Sequence, residues 1–174
     1  MDPNWLRWGR ALQALAQTGL AYTKDPFDRD RFAAVRSIAA EIMATPLGLD
    51  PAAVEAIFAA ESGYATPKIG VRAAAFRDDG AILMVREMTD GRWALPGGWA
   101  DVNQSPRESV VREVREETGF EVTPSKLAAV FDRAETPHPP SWPFHIWRLF
   151  FVCDIVGGAL QTSYETTEVR FFSE

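Results

Sequence analysis

The sequence predicts an α+β protein in two parts: a small all-helical module over residues 1–65 and a strand-rich domain over 66–174. Three observations carry this. Apolar side chains recur at helical spacing through the first part. At Lys68 the texture changes to short apolar runs separated by Asp-Gly turns. A single strongly delimited helix, 106–118, then interrupts the strands.

Trp5, Trp8, Leu12 and Leu15 mark the first helix, with Gly19 as its expected stop. Phe32, Val35, Ile38 and Ile42 mark a second, ending before Pro46. Asp50 caps a third, Pro51 is its first residue, and Val54, Ile57 and Phe58 form its apolar face, with Gly63 closing it. The apolar stripe exceeds what three short helices can bury among themselves, which predicts packing as a homodimer that helps wall the site; the alternative is a small satellite subdomain that only stabilises the fold. Thr66-Pro67 is the junction. The runs KIGVRAAAF, AILMVRE and RWALPGG follow as strands, turned at Asp79-Gly80 and Asp90-Gly91. Further strands are expected near Val122 to Arg133, His145 to Val156 and Glu168 to Phe172, with Gly157-Gly158 as a turn between two of them. The segment TPHPPSWPF (136–144) reads either as a rigid surface loop or as a wall on which a base stacks.

The net charge of −6 argues against a long nucleic-acid partner, which needs a basic face. It leaves room for a phosphate-bearing small molecule, provided divalent cations lie between it and the protein. No apolar run is long enough to span a bilayer, and MDPNWLRWGR lacks the layout of a signal peptide. The one cysteine, Cys153 in FFVCDIV, reads as a core thiol and fits a reducing cytoplasm.

Ser105-Pro106-Arg107-Glu108 is a capping box with proline at the first helical position, and Gly119 is the natural residue after the last turn. Val110, Val111, Val114 and Thr118 share the expected buried face. Glu113, Glu116 and Glu117, related by three and four residues, converge on another. A solvated charged face would explain them. The lead-in LPGGWADV, with two adjacent glycines, favours a site, and an oxygen-only donor set suits Mg2+ or Mn2+ over zinc.

Gly98, then Arg112-Glu113-Val114-Arg115-Glu116-Glu117-Thr118-Gly119-Phe120, resembles the Nudix hydrolase signature in register. One polar position departs from it: Gln104 stands where the pattern has Glu. WALPGGWADV, AQTGLAYTKDPFD and TSYETTEV further resemble the bacterial CDP-choline pyrophosphatase and ADP-ribose pyrophosphatase-like group with a helical N-terminal module. Relatives usually continue past Phe171-Phe172-Ser173-Glu174, so a closing helix is either absent or lies beyond this sequence. The resemblance implies an α/β/α sandwich with a mixed sheet. It implies metal-dependent cleavage of the pyrophosphate in a nucleoside diphosphate linked to another moiety, CDP-choline-like. ADP-ribose and RNA 5′ ends are the alternatives, and a nucleotide sensor without turnover is the alternative of another class. Glu113, Glu116, Glu117 and the Gly97 carbonyl would hold Mg2+ or Mn2+, and Arg112 would hold a glutamate in place. Glu165 is the favoured base, over Glu168 and Glu135. Arg72 is a candidate phosphate contact, and Trp93 and Trp142 are candidates for stacking on a base.

The polar departure at Gln104 is expected to be mild. A helix rises about 1.5 Å per residue, which places Gln104 roughly 15 Å or more along the axis from Glu116 and Glu117. A carboxylate there would mainly face the helix N-terminus.

Overall fold

The computed structural model describes residues 2–135 and 142–173. In order these form α1 (Asn4–Tyr22), α2 (Pro26–Ala44), a short 3-10 turn (Thr45–Leu47), α3 (Pro51–Ala59), β1 (Lys68–Phe76), β2 (Ile82–Glu87), β3 (Trp93–Ala94), α4 (Pro106–Thr118), β4 (Phe120–Asp132), β5 (Ile146–Gly158) and β6 (Thr166–Phe172). The class is α+β, a helical N-terminal module followed by a mixed sheet with its helix. The chain forms two compact units. One is Met1–Lys68 with Arg133–His145, and the other is Ile69–Asp132 with Ile146–Glu174. Most of the proline-rich segment, 136–141, lies outside the described residues.

In the first unit, Asp25 and Asp50 cap α2 and α3, accepting from the Asp28 and Ala52 amides at 3.0 Å each. Gly19 does not stop α1, which continues three residues further. Its role is spacing. A β-carbon on Gly19 would lie 2.4 Å from the Phe32 ring, and one on Gly9 would lie 2.6 Å from Met43. The buried strip of α2 is Ala39, Ala40, Met43 and Ala44, packed with Leu6, Val54 and Phe58. Of the larger stripe expected from the sequence, Ile38 stays exposed. Phe144 meets Phe58 edge-on at 6.3 Å, and Arg10 pairs with Asp2 at 2.5 Å while donating to the Trp142 carbonyl.

The second unit holds a sheet in the order β3-β2-β1-β5-β4, with β6 also on β2. Val85 pairs with Ala94 on one edge and Val169 on the other. Strand periodicity sends Val71, Ala73 and Ala75 inward from β1 to meet Leu83, Val85, Val110, Val114, Val122, Phe151, Cys153 and Val169. Each full-sized aliphatic side chain buried this way stabilises the fold by about 1.5–3 kcal/mol. Cys153 is in this core, where burial pushes its thiol pKa up to about 11. Gly157 and Gly158 do not turn the chain. They extend β5 and pair with Glu121 and Phe120, so the turn follows them.

Candidate active site

The site is built on α4. Ser105 Oγ accepts the Glu108 amide at 3.3 Å, and Glu108 Oε2 accepts the Ser105 amide at 2.7 Å, completing the capping box. At the other end Gly119 takes a left-handed φ of +75° and donates to the Arg115 carbonyl at 3.0 Å. Val110, Val114 and Thr118 enter the core and fix the helix's rotation.

That rotation divides the three carboxylates. Glu113 and Glu117 are rolled inward to 7% exposure each, while the Glu116 side chain remains 60% exposed. Each has a different partner. Glu117 accepts the Gly97 amide at 2.7 Å, Glu113 accepts from Arg112 Nη2 at 3.0 Å, and Glu116 accepts from Arg112 Nη1 at 2.8 Å. Burial pushes the Glu117 pKa up to about 7, with the charges of Glu113 and Glu165 adding to the rise and the Gly97 amide and Arg72 opposing it. Burial also raises Glu113, helped by Glu116 and Glu165 and opposed by Arg112.

Arg112 is the hub. Besides the two glutamates it reaches Asp101 at 3.1 Å, the Trp99 carbonyl at 3.2 Å and, through Nε, Gln104 Oε1 at 3.1 Å. Burial works against its charge, but Glu113, Glu116 and Asp101 outweigh burial and raise its pKa. Gln104 also accepts from Ser109 Oγ at 3.3 Å. Its side chain is therefore tied through Arg112 to Glu113 and Glu116, nearer to the carboxylates than the rise of the helix alone suggests. Asp101 and this Gln104 bond are details that sequence spacing does not reveal.

The lead-in loop is a close fit. Gly97 has φ +140°, and a β-carbon on it would lie 2.2 Å from the Val71 carbonyl oxygen. A β-carbon on Gly98 would lie 2.8 Å from the Glu113 carboxylate. Arg72, reaching from β1, donates to the carbonyls of Leu95 (3.0 Å) and Gly97, with Glu87 at 3.4 Å. The Gly97 carbonyl thus already has the Arg72 guanidinium as a partner.

Glu165 lies in the segment between β5 and β6, and its charge bears on both Glu113 and Glu117. Glu168 is engaged instead by Arg86 and Arg170, each at 3.0 Å. Glu135 is exposed in the first unit. Trp93 packs edge-on against Phe172 at 4.8 Å, with Arg170 over its ring. Trp142 belongs to the first unit.

Among the described residues no three His, Cys, Asp or Glu side chains stand gathered as a ready metal cage. The donor chemistry nevertheless fits a hard divalent cation. Two inward carboxylates, both with raised pKa, lie where a positive charge would remove their mutual repulsion, and Glu116 is one helical step away. No helix among the described residues is long and apolar enough to cross a membrane.

Residues 66–174 match the NUDIX domain model, and residues 3–58 match a model described as a UDP-X-like, N-terminal oligomerisation domain. Bacillus subtilis (strain 168) YjhB, named provisionally as an ADP-ribose pyrophosphatase, is 41% identical over 174 residues, 100% of this chain and 83% of that protein. A crystal structure of a UDP-X diphosphatase is 34% identical with a TM-score of 0.58, covering 98% of this chain and 82% of that one. An ADP-ribose pyrophosphatase structure from Streptococcus suis 89-1591 is 41% identical with a TM-score of 0.53, covering 62% of this chain and 75% of that one.

Proposed function

The chain belongs to the Nudix hydrolases, as a pyrophosphohydrolase of the kind acting on nucleoside diphosphates linked to another moiety, and from that premise we propose its reaction in more detail. Water attacks one phosphorus, the bridging P–O bond breaks, and a nucleoside monophosphate and a phosphorylated remainder leave. The observation that carries this reading is the inward pair Glu113 and Glu117 beside Gly97 and Gly98.

Glu113, Glu116 and Glu117 are the residues that would hold Mg2+ or Mn2+, which when bound would supply Lewis acidity toward water and the phosphoryl oxygens. Glu165 takes the proton from the attacking water. Arg112 sets the directions of Glu113 and Glu116, a supporting role of the kind that commonly matters 10- to 100-fold. Arg72 braces the loop through Leu95 and Gly97, and its reach to a phosphate requires exchanging those bonds. A base stacks on Trp93. The Gly97 carbonyl would be available to a metal only on giving up its bond from Arg72. The N-terminal module pairs two copies of the chain, which works in the cytoplasm.

The resemblance of WALPGGWADV, AQTGLAYTKDPFD and TSYETTEV to the CDP-choline pyrophosphatase group supports a CDP-choline-like substrate. ADP-ribose is the second reading, supported by the likeness to YjhB over 174 residues. A panel of CDP-choline, ADP-ribose, UDP-linked sugars and triphosphorylated RNA, with products separated by chromatography, tests both. Turnover of at least one diphosphate-linked substrate, abolished by a chelator and restored by Mg2+ or Mn2+, is expected. Full activity in excess chelator would sink the metal assignment, and binding of a nucleotide without turnover would sink the hydrolase reading.

A further inference from the structure

The last turn of α4 carries carbonyls with no partner within the helix, as every helix end does. Here the segment joining β5 to β6, together with the first residue of β6, supplies donors for three in succession. The Ala159 amide donates to the Gly119 carbonyl at 3.3 Å and the Gln161 amide to the Thr118 carbonyl at 2.9 Å. The third donor is a side chain: Thr166 Oγ1 reaches the Glu117 carbonyl at 3.1 Å from a position 2% exposed. The same oxygen accepts the Ser163 amide at 3.1 Å and lies 3.3 Å from Ser163 Oγ, which in turn accepts the Glu165 amide at 3.1 Å. The Glu165 carbonyl is held by the Met88 amide at 2.8 Å. One buried hydroxyl thereby links the backbone of Glu117 to that of Glu165. The packing is tight, since a β-carbon on Gly119 would lie 2.3 Å from the Ala159 oxygen.

We infer that Thr166 is a positioning residue, whose hydroxyl fixes the Glu165 segment to the C-terminal end of the carboxylate helix and so sets the separation between the base and the metal ligands. This rests on the proposed hydrolase reading with Glu165 as base. A hydroxyl is required because it must donate to one carbonyl while accepting from an amide, which the near-isosteric valine can do for neither. Proton transfer needs hydrogen-bond reach, and a misplacement of about 1 Å can cost about a hundredfold in rate.

The test joins hydrogen exchange with kinetics on the full chain. In metal-free protein, Thr166→Val should speed amide exchange at Ser163 and Glu165 by about tenfold or more while β1 amides keep their protection. With substrate and Mg2+, its kcat should fall by about 10- to 100-fold at a KM within about twofold. Thr166→Ser, which keeps the hydroxyl, should return both readouts to near wild type. In a Glu165→Gln background the valine change should cost little more, since both act on one proton transfer. If Thr166→Val fails to fold, Ser163→Ala replaces it, with faster exchange at Glu165 and lowered kcat expected. Unchanged exchange, a serine variant as impaired as valine, or losses that multiply with Glu165→Gln would each overturn the inference. Slow exchange in a wild type inert on the whole substrate panel would instead overturn the hydrolase reading, and the catalytic meaning of the clamp with it.

Discussion

The two units break the usual burial pattern in opposite directions. The N-terminal unit leaves large apolar side chains in solvent: Trp8, Leu15 and Tyr22, spaced seven apart along α1, are 60%, 62% and 66% exposed. The second unit does the reverse and draws the carboxylates Glu113 and Glu117 into its interior. Neither arrangement is stable for its own sake. An apolar stripe of two-heptad length gains by being covered, and a buried acid gains by meeting a cation. The contrast sets two kinds of unsatisfied surface side by side: exposed carbon, which another protein surface would cover, and buried oxygen, whose charge a cation would neutralise.

The buried-oxygen half breaks most sharply at Glu117. Glu117→Gln should lower turnover by about a hundred- to ten-thousandfold, given the several kcal/mol a catalytic cation contributes. The same variant sharpens the argument in the absence of metal. Glu117 in the folded chain titrates at about 7, above its ordinary 4.5. The folded state therefore binds this proton more tightly than the unfolded state. Below pH 4.5 both states are protonated and nothing is lost. Stability falls as pH rises from there, and the loss is complete above about 7. Melting temperatures in chelator should show wild type falling relative to Glu117→Gln across that window, and parallel curves would contradict the burial argument.

The exposed-carbon half is tested by Trp8→Glu with Leu15→Glu. Analytical ultracentrifugation should find wild type as a dimer and the double variant as a monomer. A wild type that sediments as a monomer at high concentration removes this half of the comparison. The smallest effect is expected at Gln104→Glu. A charged acceptor strengthens the bond from Arg112 Nε, but it also adds negative charge beside Asp101, Glu113 and Glu116. Turnover should stay within about threefold and the melting temperature within a few degrees, roughly 1 kcal/mol. Restoration of an inert wild type by this substitution would show Gln104 to be disabling.

What the sequence made legible was local. The capping box, Pro106 and Gly119 delimit α4 because each acts within one turn of its own position. The spacing of Glu113, Glu116 and Glu117 gave their neighbourhood but not their division into two inward and one outward, because the sheet decides the rotation of the helix through Val110 and Val114. Gly19 misled for a related reason. Its missing side chain answers to Phe32 on another helix, and a glycine that makes room reads like one that ends a helix. Thr166 gave no signal at all beyond a Ser-x-x-Thr spacing with Ser163, since its acceptor is a backbone carbonyl 49 positions away.

Gly97 and Gly98 are neighbours that answer to different neighbours. One is shaped by a strand, where the Val71 oxygen occupies the space of its β-carbon; the other is shaped by α4, where the Glu113 carboxylate does. The pair behaves as a machined joint with two faces and almost no clearance. Any change that moved helix and sheet a few tenths of an ångström closer would be felt here first, as strain in the loop whose amide holds Glu117. Core substitutions such as Val110 or Val114 to larger side chains thus have a mechanical route to the chemistry, by altering the tolerance at this joint.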